Sequence, residues 1–292
     1  MNLTNEFKQK VIKALFEQRE NYGGSDSDYA KSKGIKPAIY SRLKKGETNR
    51  LLSDTSWIAL GRELQVKVYD DKWKITRTSV YNNMEDSLHF CKEFSKSMIL
   101  VDDCGIGKTA CAKHISRTMK NTFYVDCSQA KTKQQFIRLI AKTVGIDNGG
   151  KYIEVKANLK YYLTTLEKPL VILDEAGDLE YGAFLEVKEL WNGTDGACGW
   201  YMIGADGLRS KVERGISGKK VGYAEIFSRF SDEFIKLVPN GKMDRQAFYS
   251  ELIGAVASAN VEDQTKVKPL INKCINKEAT LRYLETLIKI GA

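Results

Sequence analysis

MILVDDCGIGKT, residues 98–109, and PLVILDEAGDL, residues 169–179, set the architecture of this chain. The first is an apolar strand running into a loop that bears Gly105 and Gly107 and ends in Lys108-Thr109, followed by the helical ACAKHISRTMK. The second is an apolar strand that ends in Asp174-Glu175. A loop of this kind cradles phosphates because backbone N–H groups can wrap an anion where glycines leave them uncovered. The helix that follows adds the positive end of its dipole. An acidic pair at the end of a second strand supplies the other half of a nucleoside-triphosphate site, holding a metal and polarising water.

The pair therefore predicts binding of ATP with Mg²⁺. Gly105, Ile106, Gly107, Lys108, Thr109 and Ala110 form the phosphate loop and the start of its helix. Lys108 reaches the β- and γ-phosphates, the Thr109 hydroxyl and Asp174 hold Mg²⁺, and Glu175 orients the attacking water. One position departs from G-x-x-x-x-G-K-[ST]: Asp102 stands where the first glycine belongs. With Asp103 it puts two carboxylates near an anionic ligand, an arrangement expected to weaken binding by like-charge repulsion.

Working outward, strands and helices alternate from residue 98 to about 238, as a parallel α/β sheet requires. The strands are read as 98–101, 121–128, 169–174, 199–205 and 234–238. Between them, TKQQFIRLIAKTVG, residues 132–145, carries an apolar stripe of Phe136, Leu139, Ile140 and Val144. Residues 239–292 read as helices only and form a C-terminal lid. On the other side, residues 1–67 read as an all-helical unit, 68–83 as a linker or extended arm, and 84–238 as the core, entered by a helix over 84–97.

In the N-terminal unit, Ser25 or Ser27 caps a short helix, Gly34 supplies a turn, and Pro37 opens a second helix. That second helix, KPAIYSRLKKG, is expected to bury Ile39 and Leu43 and to expose Lys36, Ser41, Arg42, Lys44 and Lys45. The segment resembles the helix-turn-helix of the phage-repressor type, which implies that residues 36–45 lie along a major groove of double-stranded DNA with cations on phosphates. A solvated basic helix in an ordinary bundle is the competing reading.

The net charge of +9 over 292 residues fits a polyanionic partner, or a plain basic surface. Six cysteines without a C-x-x-C pair and only two histidines argue against a zinc site and for reduced, buried thiols. A charged N-terminus and the lack of a long apolar run predict a cytoplasmic protein with no membrane partner.

Core plus helical lid resembles the AAA+ ATPases. With the basic helix-turn-helix in front, LDEAGDL, the GADGLRSKV stretch and the IFSRF segment, the chain looks most like ATPases of the phage Mu transposition protein B type. That resemblance implies a P-loop AAA+ core and an ATP-dependent homo-oligomer, a helical filament or ring, on double-stranded DNA with low sequence specificity. It also implies a transposase partner, a role in target selection and transposase activation, and a bacterial or phage-infected host cell. Carried over by residue, Arg229 in FSRF is the arginine presented to a neighbour's γ-phosphate, and Arg282 in EATLRYL is the lid arginine that senses nucleotide. Each has a surface-arginine alternative. In GADGL, Ala205 stands where a polar water-positioning residue belongs, so either Asp206 substitutes or hydrolysis is slow. Lys131 and Lys133 are expected to extend the DNA path, together with Arg209, Lys211, Arg214, Lys219 and Lys220 around ERGISGKKVGY, read as a flexible loop. A helicase-loader ATPase acting in replication and a nucleotide-switched transcription regulator are the alternative functions.

Overall fold

The computed structural model describes residues 3–64, 66 and 73–291. Residues 68–72 of the expected linker lie outside the described residues.

The N-terminal unit holds α1 (Asn5–Glu20), α2 (Asp26–Ser32), α3 (Pro37–Lys44) and α4 (Asp54–Glu63). Its boundaries follow local chemistry: Thr4, Ser25 and Ser53 each accept a first-turn N–H through the hydroxyl, and Pro37 occupies the first turn of α3. Phe7, Val11, Leu15, Tyr29, Tyr40, Leu43 and Trp57 form its core. On α3 the buried pair is Tyr40 and Leu43, and Ile39 is only partly covered, one position from the expected stripe.

The core begins with α5 (Ser79–Phe94), which starts where Thr78 caps it, five residues before the expected helix over 84–97. Then follow β1 (Ser97–Val101), α6 (Lys108–Thr118), β2 (Thr122–Asp126), α7 (Lys133–Val144), α8 (Tyr152–Thr165), β3 (Leu170–Asp174), α9 (Tyr181–Gly193), β4 (Gly199–Gly204), α10 (Asp206–Ser217), α11 (Tyr223–Arg229) and β5 (Phe234–Ile235). The strands run parallel in the order β2-β3-β4-β1-β5. Beyond β5 lie α12 (Lys242–Asn260), α13 (Val267–Asn276) and α14 (Leu281–Lys289). The ERGIS half of the expected flexible loop is the last turns of α10, and β5 keeps only two residues of the expected FIKLV strand.

Both faces of the sheet are covered, which explains strands that are apolar throughout rather than alternating. Ile99, Val101, Val171, Leu173, Trp200 and Met202 point to one face, packed by α7–α11. Leu100, Leu170, Ile172, Tyr201 and Ile203 point to the other, in one cluster with α5, α6 and residues of α12, α13 and α14. The lid thus shares its apolar core with the sheet. The phosphate loop leaves the carboxyl end of β1, where open α/β sheets place their ligands.

The N-terminal unit is fastened to this core. The Asn121 N–H donates to Asn21 O at 2.9 Å, the Tyr22 hydroxyl donates to Gly145 O at 3.2 Å, and Glu63 pairs with both Lys33 and Lys142.

Candidate nucleotide site

The loop between β1 and α6 turns on two left-handed glycines, Gly105 at φ 77° and Gly107 at φ 99°. Gly107 precedes α6 with no side chain capping its first amides, so those N–H groups stay open to an anion. Gly105 is required twice over, since a Cβ there would also sit 2.5 Å from Thr280 Oγ1. Its carbonyl accepts from the Leu281 N–H at 3.2 Å, which places the start of α14 on the loop.

Lys108 folds back in this state. Its ammonium donates to Asp102 O at 2.8 Å and Asp103 O at 2.6 Å. Burial lowers its pKa, opposed by the nearby Asp102, Cys104, Asp174 and Glu175.

The two carboxylates expected to repel ATP are engaged elsewhere. Asp102 is 3% exposed; its Oδ1 accepts from Asp103 N at 2.7 Å, and its Oδ2 accepts from Val238 N at 2.9 Å and from Leu237 N. Asp103 Oδ2 accepts from the Tyr249 hydroxyl at 2.6 Å and pairs with Arg245, both on α12. Asp102 thus ties the phosphate loop to the segment that leads out of β5, and Asp103 ties it to α12.

Asp174 closes β3, buried, with Oδ2 accepting from the Tyr124 hydroxyl at 2.7 Å and Oδ1 from Glu175 N at 3.0 Å. Glu175 follows in a left-handed conformation, φ 52°. Desolvation first, then the charges of Asp174, Asp178 and Asp126, raise its pKa above the ordinary carboxyl value.

A cleft of about 400 Å³ collects Gly105, Ile106, Gly107, Lys108, Thr109 and Ala110 with Asp174, Glu175 and Arg282. Arg229 is not in it. At the end of α11 it donates to Asn192 Oδ1 at 2.7 Å and Glu225 O at 2.9 Å, with its guanidinium 5.2 Å over the Trp191 ring. Ala205 lines the cleft, whereas the Asp206 side chain is 90% exposed and 3.9 Å from Arg209, so it does not take the water-positioning place.

Sequence reasoning missed the segment 73–78. Trp73, Lys74, Ile75, Thr76 and Thr78 form one wall of the cleft. Asn260 at the end of α12 pairs with the backbone of Lys74, accepting from its N–H at 2.6 Å and donating to its carbonyl at 3.1 Å. A tryptophan in a stretch without periodicity was the available signal.

Lys36, Ser41, Arg42, Lys44 and Lys45 are all exposed. Two carry partners: Arg42 pairs with Glu47 at 2.6 Å and Lys44 with Asp26 at 2.8 Å. Lys131 is paired with Asp178 at 3.3 Å, and exposed Lys133 lies 5.9 Å from the Tyr152 ring centre. Lys211 is turned inward to Gly177 O and Leu179 O, and Arg209 stacks over Phe234, so neither offers itself to a polyanion as expected.

Five cysteines are buried and Cys104 is exposed; burial pushes the Cys91 and Cys111 thiols up to about 12. Among the described residues no group of three or more His, Cys, Asp or Glu is placed to hold a metal. A single buried carboxylate beside a threonine hydroxyl fits Mg²⁺ that arrives with phosphates and keeps several waters. No helix among the described residues is long and apolar enough to cross a membrane.

Residues 95–212 match the family model described as an AAA domain. The match runs from the turn before β1 into α10 and so contains the loop, both acidic residues and strands β1 to β4; the fold is α/β with a P-loop AAA+ core. A comparison with curated proteins finds no match.

Proposed function

We propose that this chain is an ATPase whose ATP-bound form assembles on double-stranded DNA and serves DNA transposition, selecting target DNA and activating a transposase. The observation that carries the ATPase half is the single cleft that gathers the loop Gly105–Ala110, the acidic pair Asp174-Glu175 and the lid residue Arg282. Thr109 and Asp174 would hold Mg²⁺, which would supply positive charge against the negative charge of the phosphates.

Each side chain then has one task. Lys108 exchanges the carbonyls of Asp102 and Asp103 for the β- and γ-phosphates. Thr109 and Asp174 hold the metal and its waters. Glu175 orients the attacking water, and Ala205 offers that water no polar partner, which favours slow turnover. Arg282 reads the nucleotide from α14, and Arg229 reaches the γ-phosphate of a neighbouring subunit; an arginine supplied in this way is worth roughly 10³–10⁵ in rate in related chemistry.

The DNA half rests on the net charge of +9, on the short α2 and α3 with the Gly34 turn, and on the exposed row Lys36, Ser41, Arg42, Lys44 and Lys45. Those side chains suit phosphates better than base edges, which favours low sequence specificity. The transposition role and the transposase partner rest on the likeness to ATPases of the phage Mu transposition protein B type.

The test compares ATP hydrolysis with duplex and with single-stranded DNA, beside electron microscopy of the protein with ATP and plain duplex. Stimulation by duplex and helical or ring assemblies support the proposal. Preference for single strands would move the protein to helicase loading, and tight binding to one operator without assembly would make it a transcription regulator.

A further inference from the structure

Tyr124 belongs to no phosphate-loop or acidic-strand motif, yet its hydroxyl donates to Asp174 Oδ2 at 2.7 Å. The sheet explains the contact. In the β2–β3 register Tyr124 lies opposite Ile172 and Asp126 opposite Asp174, so Tyr124 and Asp174 share one face, offset by two residues. A tyrosine is long enough to bridge that diagonal.

The partnership is selective. Asp126, directly across from Asp174, has its Oδ1 occupied by Ser128 N at 3.1 Å and Ser128 Oγ at 2.6 Å. Among the described residues, Tyr124 is the one side chain seen to donate to Asp174. Its ring is held in turn by the Lys113 ammonium, 5.2 Å from the centroid, and Lys113 lines the nucleotide cleft.

We propose that Tyr124 is a positioning residue for Mg²⁺: its hydroxyl fixes the Asp174 carboxylate in the one orientation that receives the metal's waters. The inference rests on the nucleotide-site reading above. Asp174 is pinned at both oxygens, by Tyr124 on one and the Glu175 N–H on the other, and it lines the cleft. Without the phenol, only the Glu175 N–H still holds the carboxylate, at Oδ1, so its orientation is less restricted and part of it must be restored on metal binding. Partners that orient a metal ligand change metal affinity by about 10–100-fold when removed.

The experiment titrates Mg²⁺ against binding of a fluorescent ATP analogue, a readout independent of turnover, in wild type and Tyr124→Phe, with thermal melting to check folding. The expected result is a Mg²⁺ requirement raised about tenfold, with metal-free affinity for the analogue changed by less than about twofold. In an Asp174→Asn background, Tyr124→Phe is expected to add nothing further. Superimposable Mg²⁺ titrations, an equal loss with and without metal, or additive effects in the double variant would each overturn the positioning role. A wild-type protein that binds no nucleotide would instead remove the site reading itself, and this inference with it.

Discussion

Asp102 and Val238 lie far apart in sequence, yet the carboxylate of one accepts the backbone N–H of the other at 2.9 Å, joining the first residue of the phosphate loop to the segment that leads into the lid. The residue that departs from the usual loop is therefore an anchor. Asp102→Gly restores the glycine of the common pattern and should still destabilise the protein. It leaves the buried Val238 N–H without a partner, a loss of about 1–3 kcal/mol, and ATP affinity should not improve. Melting and calorimetry check this; tighter ATP binding at unchanged stability would revive the repulsion argument.

Asp103 and Arg245 form the second link, with Tyr249 one turn further along α12 donating to the same carboxylate oxygen. Because α14 touches Gly105 through the Leu281 N–H, a lid that loosens at α12 also withdraws Arg282 from the cleft. Arg245→Ala and Tyr249→Phe are each expected to speed nucleotide dissociation several-fold. A double-mutant cycle with Asp103→Asn should give a coupling of about 0.5–3 kcal/mol between partners that touch. Stopped-flow release of a labelled nucleotide measures it, and additive effects would mean that no latch exists.

How much of this was legible in the residues divides along physical lines. Apolar strands buried on both faces and a glycine loop before a helix are local patterns, so the strands and the cleft-lining residues Gly105–Ala110, Asp174 and Glu175 follow from the residues themselves, whereas Arg282, which also lines the cleft, came only with the family resemblance. The links made by Asp102, Asp103 and Tyr124 depend on which strands become neighbours and where the lid docks, and neither is written in local periodicity. The glycines of ERGISGKKVGY suggest a flexible loop. Gly215 is instead buried within α10, where a Cβ would lie 2.3 Å from the Tyr223 ring, so the glycine serves packing. Lys211 looked like a surface cation because sequence shows charge but not direction.

Glu175 offers a pH test with a definite sign. Desolvation and three neighbouring carboxylates raise its pKa in the folded protein, so the fold favours its protonated form relative to the unfolded chain. Its contribution to stability is most favourable below the unfolded value and declines as pH rises through the folded one. In the nucleotide-free protein, Glu175→Gln should therefore raise the melting temperature at neutral pH. That gain should shrink towards zero as pH falls below the ordinary glutamate range. A gain independent of pH would assign the effect to something other than ionisation.

Arg229 tests whether the site is shared between subunits. Within the chain it is held by Asn192 and Glu225 and stays out of the cleft, so Arg229→Ala should leave nucleotide binding intact. Hydrolysis should fall by about 10³-fold or more if the guanidinium acts in trans. Lys108→Ala should lose nucleotide binding and with it hydrolysis. Mixed together, the two inactive variants should recover activity, because a Lys108→Ala subunit still presents Arg229 to the intact loop of an Arg229→Ala neighbour. Recovery should depend on total protein concentration and on duplex DNA, which brings subunits together. Two variants that remain inactive in every mixture, under conditions where wild type assembles, would place Arg229 in the surface network of α9 and α11 and leave the catalytic arginine to be found elsewhere.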